Sequence, residues 1–221
     1  MAPNDESGYT GLGMLLAKTG READAIQSFR KPLALNPNSP DTHVNLGIAL
    51  ADQYDLAGGL AQFSEAIRLD PHFAKAHYNL GRFYFYTGKY VEARKELETA
   101  CPLQPVYPEA LYSLALTERQ FNNLPRATEL LERVVTLSPG NADAQYLLGQ
   151  NLDRLGKKDE AIAHCAESAH LHRNLGLIYC RTGNTQEGEK ELRAALEINP
   201  HDEDARKALA LLENLPKAAQ N

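Results

Sequence analysis

The sequence predicts an all-α chain built as a stack of helical hairpins, and three observations carry that prediction. Leu-Gly pairs recur at Leu12-Gly13, Leu46-Gly47, Leu80-Gly81, Leu148-Gly149 and Leu175-Gly176, with Leu114-Ala115 completing the series. Successive members stand 34 residues apart until the last step, which is 27. Other markers keep that register: small Ala25, Gly59, Ala93, Ala127, Ala161 and Gly188, then Phe29, Phe63, Leu97, Leu131, Cys165 and Leu192. Proline closes the units at Pro37, Pro71, Pro105, Pro139 and Pro200, and only the fifth lacks it. A fixed period of this length is the mark of a repeat array.

Each element of the repeat has its own reason. In the third unit, Ala74 to Tyr86 and Val91 to Cys101 carry helical periodicity, with Leu80 and Tyr84 on one face of the first stretch. Ala93, Leu97 and Ala100 form the facing stripe on the second. Between them Thr87-Gly88-Lys89 holds a glycine suited to the left-handed turn that ends a helix. Gly and Ala at the crossing let the backbones approach. The closing proline stops the second helix from running into the next unit. One hairpin cannot bury its own apolar face, so the units must stack.

These Leu-Gly, Ala, Phe/Leu and Pro positions resemble the signature of the tetratricopeptide repeat (TPR) family, over roughly residues 6 to 202. The family's leading aromatic is weak here: Tyr9 fits, while His43, His77 and His172 hold that position elsewhere. The resemblance implies a right-handed α-α superhelix of about six hairpins, with units 6–39, 40–73, 74–107, 108–141, 142–168 and 169–202. Residues 203–221 read as a capping helix, ending near Leu215-Pro216, and a tail. The first unit reads as the loosest, because Gly8, Gly11 and Gly13 weaken its first helix and Pro32 falls inside its second. The array reads as cut from a longer one.

The fifth unit is seven residues short and has no Gly or Pro from Lys157 to Leu175. Either its second helix shortens and a tight turn falls near Glu167 to Leu171, or two helices fuse into one rod. The turn is favoured, because Leu175, Tyr179 and Gly183 resume the pattern and stacking of the sixth unit on the fifth requires a reversal.

The resemblance further implies that first helices line a concave, partner-binding surface. Three positions before the glycine stand Thr10, Val44, Tyr78, Tyr112, Tyr146 and Arg173. The same helices supply Lys75, Arg82, Tyr86, Leu116, Arg119, Gln150, Arg154, Leu177 and Arg181. Tyr and Arg dominate binding hot spots, and arginines favour carboxylates or phosphates. Asn45, Asn79 and Asn174 partly resemble the asparagine ladder of O-linked N-acetylglucosamine transferase repeats, whose amides grip a peptide backbone. The alternative for these residues is packing between repeats and bonding within the helix. The carboxylate clamp that holds Hsp90 and Hsp70 tails is not supported. Asn45 and Lys75 match it, but Thr10, Met14 and Asn79 stand where Lys, Asn and Arg are needed. A different acidic peptide remains open.

Composition excludes other classes. The 221 residues carry a net charge of −6, with 43% hydrophobic and 24% charged residues, the make-up of a folded chain rather than a disordered one. No apolar run reaches the ~18 residues of a membrane span, and the acidic balance argues against a broad nucleic-acid surface. No secretory signal is seen, and three irregularly spaced cysteines, Cys101, Cys165 and Cys180, suit a reducing compartment, so a cytoplasmic location is expected. His164, Cys165, His170, His172 and Cys180 lack metal-ligand spacing, so no metal or other cofactor is expected. No Walker loop, GxSxG, HExxH or CxxC is present. The expected function is a non-catalytic scaffold that binds a peptide segment of a partner protein. The alternative is the recruiting segment of a larger enzyme such as a glycosyltransferase.

Overall fold

A computed structural model describes residues 6–181 and 183–213. The side chains of Glu6, Arg181 and Glu213 fall outside that description, as does the expected helix end near Leu215-Pro216 with the tail after it. Among the described residues the chain is all α, with twelve helices and no strand. It divides into two compact units, Met1–Phe121 and Asn122–Asn221. The first holds α1 (Glu6–Lys18), α2 (Glu22–Leu35), α3 (Pro40–Asp52), α4 (Leu56–Leu69), α5 (Ala74–Tyr86), α6 (Tyr90–Leu103) and α7 (Pro108–Gln120). The second holds α8 (Leu124–Leu137), α9 (Ala142–Arg154), α10 (Lys158–Arg181), α11 (Thr185–Ile198) and α12 (Glu203–Glu213).

Two local rules cut the chain into hairpins. Within a hairpin, one residue in the left-handed region ends the first helix: Gly20 (φ 73°), Gly88 (φ 76°), Gly156 (φ 81°) and Gly183 (φ 83°). The amide after it reaches back five residues, as Lys89 N–H does to the Tyr84 carbonyl at 2.8 Å, and satisfies an orphan acceptor. Between hairpins, proline does the work. The residue before a proline is pushed out of the helical region, and Asn36, Asp70, Gln104, Ser138 and Asn199 all take extended or near-extended geometry at the ends of α2, α4, α6, α8 and α11. Pro32 lies inside α2, buried, without breaking it.

The Leu-Gly glycines mark the closest approach of paired helices. A Cβ built on Gly81 would stand 2.7 Å from Leu97 Cγ, and one on Gly13 would stand 2.5 Å from Phe29 Cε1. Gly13 is therefore a packing residue of the first hairpin and not only a weak point in α1. The leucine of each pair is buried from α3 to α9: Leu46, Leu80, Leu114 and Leu148. Cys165 and Cys180 follow the same logic, since their thiols sit where a Cβ on Gly149 or Gly188 would fall, at 2.5 and 2.6 Å. Burial raises both thiol pKa values, which favours the protonated thiol.

The fifth unit departs from the favoured reading. No turn interrupts residues 167–171; α10 is one helix of 24 residues. The first half of α10 packs on α9, where Ser168 Oγ donates to the Ala142 carbonyl at 2.8 Å. The second half packs on α11, where a Cβ on Gly176 would lie 2.8 Å from Leu192 Cγ. One rod thus serves as the second helix of one hairpin and the first helix of the next. The reason is local: with no proline to force an extended residue and no glycine to supply a left-handed one, nothing stops the helix.

The last helix closes the second unit. Leu192, Ala195, Ala205 and Leu212 form one buried cluster across α11 and α12. Asp202, nearly buried, accepts the Ala205 amide at 3.0 Å and an Arg173 guanidinium N–H at 3.2 Å. Two alanine substitutions separate the roles of the helical glycines. A Cβ on Gly11 meets nothing within 4 Å, so Gly11→Ala should stabilise the chain by about 1 kcal/mol through helix propensity. Gly81→Ala gains the same term but overpacks Leu97 at a cost of ~1–3 kcal/mol. A net loss of about 1 kcal/mol is expected for it, read from the urea midpoint of each variant.

Candidate functional site

The first unit contains a slot of about 520 Å³ between α3, α4 and α5. Its walls are mostly apolar: Ile48 and Ala51 from α3, Leu56 and Phe63 from α4, and Phe83 from α5. Phe63 and Phe83 meet edge to face with ring centroids 6.1 Å apart. Asp52 and Arg82 bring one charge of each sign to the same lining. Two aromatic side chains stand at the rim and face water, Tyr54 at 90% exposure and Tyr86 at 75%.

Arg82 is held ready by aromatic faces. Its guanidinium lies 5.5 Å from the Tyr78 ring centroid and 5.6 Å from that of Tyr86, within cation–π range. Tyr78 leans in turn on Tyr107, at 4.8 Å between centroids. Burial pushes the phenol pKa of Tyr78 up, and pushes that of Tyr107 far up. Both therefore stay neutral hydrogen-bonding groups over the physiological range. Tyr107 sits before α7 at no repeat-marked position, which is why the register alone did not flag it.

Tyr54 is the backbone exception. It occupies the turn position that Gly20, Gly88, Gly156 and Gly183 hold elsewhere, with φ 62°. The other non-glycine there, Asn122 (φ 57°), is a residue that tolerates the left-handed region. A tyrosine does not; the conformation costs it ~1–2 kcal/mol. The signal was present in the sequence as an aromatic in a glycine column.

The sequence-marked candidates separate into groups. Lys75 Nζ donates to Asp41 at 2.6 Å and to Asn45 Oδ1 at 3.1 Å, and the Asn45 amide donates to Asp41 at 3.1 Å. These three residues form a closed network across α3 and α5. Asn79 donates to the Lys75 carbonyl of its own helix at 2.7 Å. Asn45 and Asn79 are both buried; Asn45 is committed to that network, while Asn79 borders the slot. Tyr112, Leu116 and Arg119 stand half-buried on α7. In the second unit, Tyr146 is 36% exposed on α9 and Gln150 is half-buried. Arg154 Nη2 donates to Asn122 at 2.7 Å. Asn174 is exposed on α10 and Leu177 half-buried, while Arg173 is committed to Asp202. The Arg181 side chain lies outside the described residues.

The histidines in the leading-aromatic position act as staples. His77 Nδ1 donates to Glu96 on the paired helix at 2.7 Å, and its Nε2 lies 3.0 Å from the Pro71 carbonyl. His43 repeats the pattern with Gln62 and Pro37, and His172 pairs with Glu191 at 2.7 Å. Among the described residues no group of three or more His, Cys, Asp or Glu stands close enough to share a metal ion. No helix there is long and apolar enough to cross a membrane.

Models described as tetratricopeptide repeat match residues 44–108 and 112–174, 169–202, and 7–39. No curated protein sequence matches the chain. Among solved structures, the chain is similar to MamA at 26% identity, covering 72% of this chain and 93% of that one with a TM-score of 0.63. It is also similar to YrrB, described as a TPR protein with an unusual peptide-binding site, at 25% identity, 81% and 96% coverage and a TM-score of 0.61. The likeness to pilF of Pseudomonas aeruginosa, at 19% identity, 93% and 97% coverage and a TM-score of 0.70, concerns the fold.

The cost of the Tyr54 backbone is measurable apart from any ligand. Tyr54→Gly relieves the left-handed strain but adds unfolded-state entropy. Little packing is lost, since the side chain is 90% exposed. A net gain of about 0.5–1 kcal/mol is expected in chemical denaturation; destabilisation would show that the ring packs against the fold.

Proposed function

The chain belongs to the tetratricopeptide repeat family, and from that premise we propose that it is a non-catalytic interaction scaffold holding a peptide segment of a partner protein in the α3–α4–α5 slot. The observation that carries this reading is Tyr54, a bulky residue kept in a strained turn with its ring in water at the mouth of an apolar slot. The hairpin turn demands the left-handed backbone, but no packing demands a tyrosine there in place of glycine, and side chains kept at such a cost gather at functional sites. Tyr54 and Tyr86 form the two jaws, an apolar side chain of the peptide enters towards Phe63 and Phe83, and Arg82 takes a carboxylate or backbone carbonyl beside it. Such an arrangement joins an apolar anchor to one charge-assisted bond, the usual make-up of a hot spot.

The stripe of Tyr112, Leu116 and Arg119 on α7 offers the same residue types for further contact, and Tyr146, Gln150, Arg154 and Asn174 do so in the second unit. YrrB, which carries a peptide-binding site on the same fold, supports the reading by analogy. A random dodecapeptide library displayed on phage, selected on the whole chain and followed by fluorescence polarisation, provides the test. Tyr86→Ala and Arg82→Ala should each weaken the selected peptides by ~1–3 kcal/mol. Unchanged affinity in both, with circular dichroism intact, would remove the slot from the binding surface.

A further inference from the structure

The continuous α10 opens two faces that the repeat normally keeps closed. At the position of Leu46, Leu80, Leu114 and Leu148, which are 0–5% exposed, Leu175 is 39% exposed. At the position of Ala49, Thr117 and Asn151, which are 0–2% exposed, Ile178 is 54% exposed. In the rest of the repeat those residues are covered by the preceding hairpin. The second open face is the one that should do the covering. Ile162 is 67% exposed, whereas its counterparts Ile26 and Thr128 are 8% and 6% exposed and Leu60 and Arg94 are half-buried. Beside Ile162 lies a depression of about 330 Å³ bordered by Gln150, Asp153, Ala161 and Cys165.

This depression is the register equivalent of the slot in the first unit. There, Ile48, Ala51, Leu56 and Phe63 are covered by Asn79, Arg82 and Phe83 of the following hairpin. Here, the equivalents of those covering residues are Asn174, Leu177 and Ile178, and they lie further along the same straight helix as Ile162. Ile162 and Ile178 are sixteen residues apart, about 24 Å along the axis at 1.5 Å per residue. A rod cannot fold back on itself, so the two faces cannot meet within one chain while α10 is continuous.

We propose that a second copy of this chain closes both faces, in a two-fold dimer that exchanges the α10–α11–α12 end. Leu175 and Ile178 of one copy enter the Ile162–Cys165 depression of its partner, and the partner's matching residues return the contact. The occupant is specified by the repeat itself: the surface that fits a hairpin's trailing face is the leading face of the next hairpin, and this chain carries one open example of each. A contact made by the same patch on both copies is self-complementary and closes at two subunits. Exchange of an identical element is also the low-cost route to such a dimer. The missing seven residues are then the cause of assembly, because they remove the turn that would let one chain close on itself.

Sedimentation equilibrium of the whole 24.4 kDa chain should give twice the monomer mass. Ile162→Glu and Ile178→Glu, both at exposed sites, should each weaken the dimer by about tenfold or more, as expected for a buried apolar anchor. Inserting a seven-residue Asn-Pro-containing turn between Glu167 and Ser168 should yield a monomer. In a background with Cys101, Cys165 and Cys180 changed to Ala, a chain carrying Ile162→Cys mixed with one carrying Ile178→Cys should form a disulfide between the two species. A monomer at every concentration would overturn the proposal. So would an intrachain disulfide in the Ile162→Cys/Ile178→Cys double variant, which would mean that α10 bends and closes on itself. A dimer untouched by either glutamate and by the insertion would place the interface elsewhere and overturn it equally.

Discussion

Burial of one hairpin's apolar face by the next is the interaction on which everything else in this chain depends. Two helices of thirteen or fourteen residues, such as α5 and α6, are marginal alone in water. Their leucines and phenylalanines become a core only when a neighbour covers them. The glycines at the helix crossings, the left-handed turns and the pre-proline breaks all serve to bring that neighbour to the right place. Stability is therefore a sum of local hairpins and nearest-neighbour contacts rather than the property of one core.

The same dependence explains where the candidate site lies. The slot is a seam between hairpins, so its lining comes from three helices and two turns, and no single helix owns it. Other polar groups along these helices already have partners: Asn79 bonds its own backbone, and Lys75 is engaged with Asp41 and Asn45. Arg94 shows how specific a seam becomes. It stands where Ile26 and Ile162 stand in other hairpins, and it binds the buried Glu118 at 3.0 Å while its guanidinium covers the Phe121 ring at 3.7 Å. A charged pair at one joint sets that joint apart from its neighbours.

The repeat was legible because its signals are local and covalent. A glycine that must turn left-handed, or a residue that cannot be helical before proline, acts wherever it stands. The path of α10 was harder, because Leu175, Tyr179 and Gly183 report the side-chain register, which is the same on a bent chain and on a straight one. The absent proline was the decisive sign, and its weight is clear from the extended residues that precede the prolines elsewhere. Residue type alone also says nothing of a side chain's availability. Nothing in the letters of Asn45 or Arg173 says whether a polar group is already engaged, and both are, Asn45 with Asp41 and Lys75 and Arg173 with Asp202. Conversely Tyr54 is hard to read from sequence, since it breaks a pattern of glycines rather than adding to a pattern of its own.

The unbroken α10 also changes how this molecule would carry load. Between other hairpins a twist or a pull passes through side-chain packing, which can slip by small rotamer adjustments. Between the α9 and α11 sides of α10 it passes along a continuous ladder of backbone hydrogen bonds. Torque applied at α11 and α12 would reach α9 with little slack, as through a shaft and not through a chain of links. The second unit would therefore be stiffest along α10.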